Sequence, residues 1–430
     1  MSAKVEGENP IVDSTQRRKS VMFSRIYVAS QSTLKRDAVQ AAIEANLASK
    51  DNVDCLFAEK HAVLLASTDI GCITNCPQPV GEISARYCAD NRLCETMQRH
   101  GAIGDALVVV VENYIHCDGP GFPWVDRCFV RLAYRGGSVC ASSIQDIEIP
   151  EKYDPQGDPD IAAPLGYSQT IGERIHNDYS DVSAKDWFRA ASSTNPSRTD
   201  VIVEVLNRCF AQIAQQRRLR QQFRQYDDFP KPGVRFDDMF SCLAVAHGCE
   251  KIVDVLVSQV DAFIGPVCIE KNDSLGAPNL TAQESWSDRY FVAGLESRGM
   301  MLAAMLAARL GTPFVPIRKA GKLPGAVLTE HFSKEYGLDT FEIQETYLQT
   351  VPKRAIIVDD VLATGGSMTA ACRLVQTAGK EIALILSLVD IPCLREQCAV
   401  ALAPFGAPTA VALAEFDTLK ETDRKRKRIQ

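Results

Sequence analysis

The pattern of apolar and polar positions is clearest between Arg354 and Gly379. Ala355 to Val358 is a short apolar run with β-branched residues, the pattern of a buried parallel strand. Asp359 and Asp360 follow, where that strand is expected to end. Ala363 to Ser367 is a small loop with two glycines, and a helical pattern then runs to Gly379, a C-terminal stop signal. Around this unit the chain predicts strands at Tyr290 to Ala293, Pro313 to Ile317 and Ile382 to Val389, and helices at Glu250 to Val260 and Met300 to Leu310. The first half reads differently. Arg25 to Ala29 is a short strand, and the helix after it runs to Leu47 with a small face of Ala38, Ala41, Ala42 and Ala45. Ala106 to Val111 is a buried strand ending at Glu112. Phe129 to Tyr134 and Ser138 to Ser142 flank Arg135-Gly136-Gly137 as a hairpin. Ile202, Leu206, Cys209, Phe210 and Ile213 form one helix face. This alternation predicts an α/β or α+β unit followed by an α/β unit.

Length supports two domains. The chain has 430 residues, 46% of them hydrophobic, which exceeds one typical domain. The expected division is a polar tail at 1–20, a first domain at 21–215, a second at 216–420 and a basic tail at 421–430. Gln215 to Gln225 reads as a charged, solvated helical linker. A polar, proline-rich loop runs from Pro150 to Pro164. The net charge of -7 gives no global nucleic-acid footprint, so no nucleic-acid partner is expected. No apolar run approaches a membrane span and the first twenty residues lack the apolar core of a signal peptide, so a cytoplasmic protein is expected. Arg424 to Arg428 is a basic run that reads as a solvated tail, with nuclear import as the alternative. Fifteen cysteines are scattered without C-x-x-C spacing and read as reduced thiols, not as disulfides or zinc ligands; Cys72 and Cys76 have no histidines at finger spacing nearby.

The order strand, acidic pair, glycine loop, helix carries a specific chemistry. Backbone N–H groups of a glycine loop opening a helix close on a phosphate, and the helix N-terminus favours its charge. Ala363, Thr364, Gly365, Gly366 and Ser367 form that loop, with Thr364 and Ser367 as hydroxyl donors. The adjacent carboxylates of Asp359 and Asp360 can accept bonds from vicinal hydroxyls, as in ribose. The site is shaped for a sugar 5-phosphate. It is not a Walker A loop, since G-x-x-x-x-G-K-[ST] is missing.

Val358 to Ser367, V-D-D-V-L-A-T-G-G-S, resembles the phosphoribosyl pyrophosphate motif of type I phosphoribosyltransferases. Within them the chain is similar to adenine phosphoribosyltransferases. G-L-E-S-R-G at Gly294 to Gly299 resembles that family's pyrophosphate loop, and I-R-K-A-G-K-L-P-G at Ile317 to Gly325, E-Y-G at Glu335 to Gly337 and F-E-I-Q at Phe341 to Gln344 follow in family order. F-P-K-P-G-V-R-F-D-D at Phe229 to Asp238 resembles its N-terminal segment, and the likeness covers roughly residues 226 to 395. The resemblance implies a doubly wound parallel sheet, a homodimer, Mg²⁺ as cofactor, and a purine base and phosphoribosyl pyrophosphate as substrates. It implies that Glu296, Ser297, Arg298, Arg318, Lys319 and Lys322 surround the pyrophosphate. It implies that Phe236 stacks on adenine, that Tyr336 lies on a closing loop, and that Glu335 handles the purine proton. Asp359 and Asp360 would meet the metal only indirectly. Asp237 stands where the family usually has a basic residue, and Gly265 to Asp288 looks like an insertion.

The first half resembles the inosine/xanthosine triphosphatase family through Val28 to Lys35, Gln78 to Arg86, Asn91-Arg92, Val110 to Ile115 and T-I-G-E at Thr170 to Glu173. That implies an α/β nucleoside triphosphatase-like domain in which Lys35, Arg86 and Arg92 touch phosphates and Glu112 holds the metal, with Ser197-Arg198 near a late substrate-contacting segment. The family's Thr-Asn-Pro is Gln31-Ser32-Thr33 here, and its acidic pair is Ile83-Ser84. With few carboxylates left to hold Mg²⁺, a degenerate domain is expected in preference to a hydrolase. The expected function is adenine salvage to AMP. Hydrolysis of ITP or XTP by the first domain and a non-catalytic sensor of phosphoribosyl pyrophosphate are the alternatives.

Overall fold

The computed structural model describes residues 23, 25–48, 56–57, 64–67, 78–100, 106–117, 122–134, 137–153, 166–167, 169–226, 228, 236–264, 286–334, 337–391 and 394–413. The tails at 1–20 and 421–430, Cys72 and Cys76, residues 154–164 of the proline-rich loop, residues 265–285 of the expected insertion, and Glu335 and Tyr336 lie outside them.

The first lobe is a mixed sheet. Its main strands are β1 (Arg25–Val28), β2 (Leu64–Ser67), β3 (Ala106–His116), β4 (Val125–Tyr134) and β5 (Gly137–Ser142), in the order β2-β1-β3-β4-β5, and a sixth, two-residue strand, Ile147–Glu148, pairs antiparallel with the start of β4. The β1 strand pairs parallel with β2 and β3, whereas β3, β4 and β5 form an antiparallel meander. The apolar run of β3 is continuous because both its faces are covered. Leu107, Val109 and Val111 pack in one cluster and Ala106, Val108 and Val110 in another. The strand passes Glu112 and ends at His116, because β4 supplies ladder partners as far as Val125. Helix α1 (Thr33–Ala48) buries Ala38, Val39, Ala42 and Ile43. Ala41 and Ala45 are exposed, because the branched Val39 and Ile43 cover more of the sheet than a second pair of methyl groups would. Helix α2 (Gly81–His100) covers the opposite face through Ala85, Ala89 and Leu93.

Helix α3 (Arg198–Gln221) starts at a capping box, with Ser197 and Asp200 each bonding the other's backbone. Ile202, Leu206, Phe210 and Ile213 lie in the first core, whereas Leu219 and the following Phe223 lie in the second. The expected solvated linker is therefore a rod shared by both lobes, about 36 Å long at 1.5 Å per residue. Its last turns bury Gln216 and Leu219, because each lobe lays apolar surface against it. It leads into a two-stranded antiparallel ribbon, β6 (Arg224–Tyr226) and β7 (Phe236–Asp238).

The second lobe is a seven-stranded sheet. Its strands are β8 (Tyr290–Leu295), β9 (Phe314–Lys319), β10 (Val327–Lys334), β11 (Gly337–Gln344), β12 (Arg354–Leu362), β13 (Glu381–Asp390) and β14 (Thr409–Val411), in the order β10-β11-β9-β8-β12-β13-β14. Five of them, β9-β8-β12-β13-β14, run parallel, and the β10–β11 hairpin adds antiparallel to β9. Helices α4 (Gly248–Phe263) and α5 (Arg298–Leu310) cover one face. Helices α6 (Gly366–Thr377) and α7 (Arg395–Leu402) cover the other. The sheet is doubly wound, and strand order reverses between β8 and β12. Ligands of such sheets bind at that reversal, beyond the carboxyl ends of the strands. The β12 strand does not stop before the aspartates. It runs on to Leu362, because β13 continues the ladder with Asp359 opposite Ser387 and Leu362 opposite Asp390.

The lobes meet where α4 lies against β5. Gln259 is fully buried there and pairs with Ser138 twice, accepting from its N–H at 3.2 Å and donating to its carbonyl at 2.9 Å. Among the described residues no helix is long and apolar enough to cross a membrane, and the ten described cysteines are free.

Candidate active site

Two strand ends and one helix start build the site. At the end of β12 the Asp360 N–H donates to Asp359 Oδ1 at 2.8 Å, so the two side chains are fixed relative to one another. Burial, and then the neighbouring charge of Asp360, push the Asp359 carboxyl well above the usual carboxylate range. Burial raises Asp360 as well, opposed by the Arg298 guanidinium, which pairs with its Oδ2 at 2.8 Å.

Helix α6 begins just beyond. Its N-cap, Gly365, has φ +88°, a conformation that L side chains rarely adopt. Gly365 is also close to α7: a Cβ there would lie 3.3 Å from Cys398 Sγ. No side chain caps the helix start, whose first N–H groups belong to the loop Ala363 to Ser367. Ala363, Thr364 and Ser367 are half-buried. An uncapped helix start with its positive dipole end is ready for an anion.

The end of β8 brings Glu296, Ser297 and Arg298, and the Glu296–Ser297 peptide is cis. Arg298 is held from two sides, by Asp360 and by the Phe236 ring, whose centroid lies 5.4 Å from the guanidinium carbon. Glu296 accepts from Arg318 Nε at 3.1 Å and from the Lys319 N–H at 3.0 Å. Burial works to raise Glu296, but these two donors outweigh it and hold the carboxyl below its usual range. Arg318 Nη1 donates to the Lys322 carbonyl at 3.2 Å, so the basic turn after β9 is folded back on itself. Arg298 is thus tied to the acidic pair, and Arg318, Lys319 and Lys322 to one another and to Glu296 on the adjoining strand end.

The phosphoribosyl transferase domain model matches residues 279–397. Over 178 residues the chain is 37% identical to the adenine phosphoribosyltransferase of Mycobacterium marinum, covering 41% of this chain and 83% of that protein. It is 35% identical over 198 residues to that of Gloeobacter violaceus, covering 46% of this chain and 99% of that one. A crystal structure of the Saccharomyces cerevisiae adenine phosphoribosyltransferase is similar at 31% identity and a TM-score of 0.38, covering 46% of this chain and 99% of that chain.

The chain belongs to the adenine phosphoribosyltransferase family. It is a pentosyltransferase, and the family likeness lies in its second lobe. Mg²⁺ fits this phosphoribosyltransferase site only through a ligand. Among the described residues no group of three or more His, Cys, Asp or Glu could hold a metal, so a ligand would have to bring the remaining oxygens.

The sequence missed two supports of this phosphoribosyltransferase site. Glu342, 8% exposed, accepts the Gly321 N–H at 2.9 Å and fixes the basic turn. It lies in the F-E-I-Q string, which was the available signal. Asp237, the departure from the family pattern, accepts from Arg220 of α3 and from Gln225 Nε2 at 2.8 Å.

In the first lobe Glu112 is 5% exposed and forms ion pairs with Arg92 and, at 3.9 Å, with Lys35. Burial pushes the Lys35 amine down, Glu112 opposes this, and the charges of Arg92 and Arg198 add to it. Cations occupy the one carboxylate expected to hold a metal, so the residues present do not fit Mg²⁺ there. Arg86 is not part of this group. It pairs with Glu82 at 2.7 Å and donates to the Asp261 carbonyl at 2.8 Å across the seam between the lobes.

Proposed function

We propose that the second lobe transfers the phosphoribosyl group of 5-phosphoribosyl 1-pyrophosphate to adenine, giving AMP and pyrophosphate. The observation that carries this reading is the Asp359–Asp360 pair, the first half-buried and the second buried, beside the uncapped start of α6. The 5-phosphate sits on the N–H groups of Ala363 to Ser367, and the ribose hydroxyls on the aspartates. Adenine lies against Phe236. Its N9 attacks C1, the C1–O bond to pyrophosphate breaks, and the electron pair leaves with the pyrophosphate. Arg298, Arg318, Lys319 and Lys322 stabilise the charge that builds on the leaving group. Glu296 and Ser297 hold the loop that presents it. Were Mg²⁺ bound with the diphosphate, it would add Lewis-acid stabilisation to the charge that these cations meet. By the family resemblance, Glu335 takes the N9 proton and Tyr336 helps to exclude water.

The test is pyrophosphate release by the full chain with Mg²⁺ and a panel of purine bases. Release with adenine is expected. Release with hypoxanthine or guanine alone overturns the adenine assignment, and release with none favours a sensor of the activated sugar. Light scattering tests the homodimer.

For the first lobe we propose a pocket that takes a purine nucleoside triphosphate without hydrolysing it. The support is the gathering of Lys35, Arg92 and Arg198 around two buried carboxylates, Glu112 and Asp126, that these cations already pair. Phosphate release from inosine triphosphate by the full chain overturns this reading in favour of a second catalytic activity.

A further inference from the structure

Phe236 and Asp237 are neighbours on β7, so their side chains leave opposite faces of the ribbon. On one face the Phe236 ring covers Arg298. On the other, Asp237 is held by Arg220 through Oδ2 and by Gln225 through Oδ1. The pair is largely buried, with Arg220 11% and Asp237 17% exposed. The ribbon has only three residue pairs, Phe236 with Tyr226, Asp237 with Gln225 and Asp238 with Arg224. A two-stranded ribbon of that length does not hold its own position in water. Arg220 lies in the last turn of α3, and the start of α3 is anchored in the first lobe, where Arg198 pairs with the buried Asp126 at 2.9 Å. The place of the Phe236 ring is therefore set from outside the phosphoribosyltransferase sheet.

We propose that Arg220 and Asp237 are positioning residues for base binding. Their ion pair locks the ribbon to the helix shared by the lobes and thereby holds Phe236 over Arg298. This rests on the reading of Phe236 as the platform for adenine. It makes the first lobe a structural part of the base subsite. The pyrophosphate and ribose subsites are built on β8, β9 and β12, which do not carry this pair. Removing one partner of a buried ion pair strands the other charge in a poorly solvated place, and the ribbon shifts to relieve it. The damage should fall chiefly on the base, because Asp360 still holds Arg298 when the ring shifts.

The experiment is steady-state kinetics of the full chain carrying Asp237→Asn, Arg220→Gln, the exchanged pair Arg220→Asp with Asp237→Arg, or Phe236→Ala. The single variants at 220 and 237 should raise KM for adenine on the order of ten-fold while kcat and KM for the activated sugar stay within about two-fold. The exchanged pair should recover at least half of that loss, on the logarithmic scale. An unchanged adenine KM in both single variants overturns the proposal when Phe236→Ala raises it. So does a parallel fall of all parameters in variants whose circular dichroism and melting temperature match the parent. If the single variants do not fold, a folded exchanged pair with the parent's adenine KM supports the lock, and one with a raised adenine KM overturns it. If Phe236→Ala leaves adenine KM unchanged, the platform reading itself fails and the proposal falls with it.

Discussion

Gly299 stands so close to Asp359 that a Cβ on it would lie 2.7 Å from Asp359 Oδ1, 2.8 Å from Asp359 Cα and 2.9 Å from the Val358 carbonyl oxygen. Two of those atoms belong to the backbone of β12 and cannot rotate away. The loop that carries Arg298 and the strand that carries the acidic pair are thus in contact through a missing side chain. Gly299→Ala should push Asp359 out of place, destabilise the fold by about 1–3 kcal/mol and raise KM for the activated sugar by more than its effect on adenine. Chemical denaturation and two-substrate kinetics read the two effects, and a variant with parent-like KM for both substrates would contradict the contact.

The acidic pair also sets a pH dependence. Burial, then the charge of Asp360, raise Asp359, so over the window above the ordinary carboxylate pKa of about 4 the folded protein holds more protons than the unfolded chain. Stability contributed by this group is present at low pH and is lost as pH rises through the raised value. Asp359→Asn removes the titration. The melting temperature of the parent should therefore fall relative to Asp359→Asn as pH is raised from about 4 to about 7. A constant gap across that range would show that the pair does not titrate abnormally.

Arg298 uses two properties of a guanidinium at once, a flat face under Phe236 and an edge toward Asp360. Lysine offers charge without the plane or the fork. Arg298→Lys should lower kcat/KM by about 10- to 100-fold, while Lys322→Arg, in an exposed turn, should lower it by less than about five-fold. Equal losses in the two variants would argue that only net charge matters at this site.

The most local signals were the most legible. Ala355 to Val358, the glycine loop and the stop at Gly379 were readable because strand, turn and helix each leave a short-range mark, and Gly379 does take φ +73°. The continuation of β12 through Asp359 and Asp360 was not, because only the neighbouring β13 makes two charged residues into ladder members. Nor was β14, three residues from Thr409 to Val411, which is too short to show a period and exists because Ile385, Leu386 and Ser387 offer it an edge. The charged run Gln215 to Gln225 looked solvated because long polar side chains hide which of their stems are buried. Of the site residues, those on strand ends and loops could be named from motifs. The partners that hold them, Glu342 for the basic turn and Arg220 for Asp237, lie 21 and 17 residues away, and nothing in the local pattern says what either one pairs with.

At the seam between the lobes one side chain imitates a strand. The Gln259 amide accepts from the Ser138 N–H and donates to its carbonyl, so it continues the ladder where β5 would otherwise present an open edge. Around it, Arg131 lies 5.5 Å from the Phe263 ring centroid and Arg86 reaches the Asp261 carbonyl. Gln259→Leu keeps the size but leaves both Ser138 groups buried without that partner, at a cost of about 1–3 kcal/mol for each. The loss falls between the lobes and not within either core. Thermal unfolding of Gln259→Leu should therefore separate into two transitions where the parent shows one. A single transition shifted down as a whole would mean that the lobes remain one cooperative unit without this bond pair, held by the shared helix α3 and the Arg86 and Arg131 contacts.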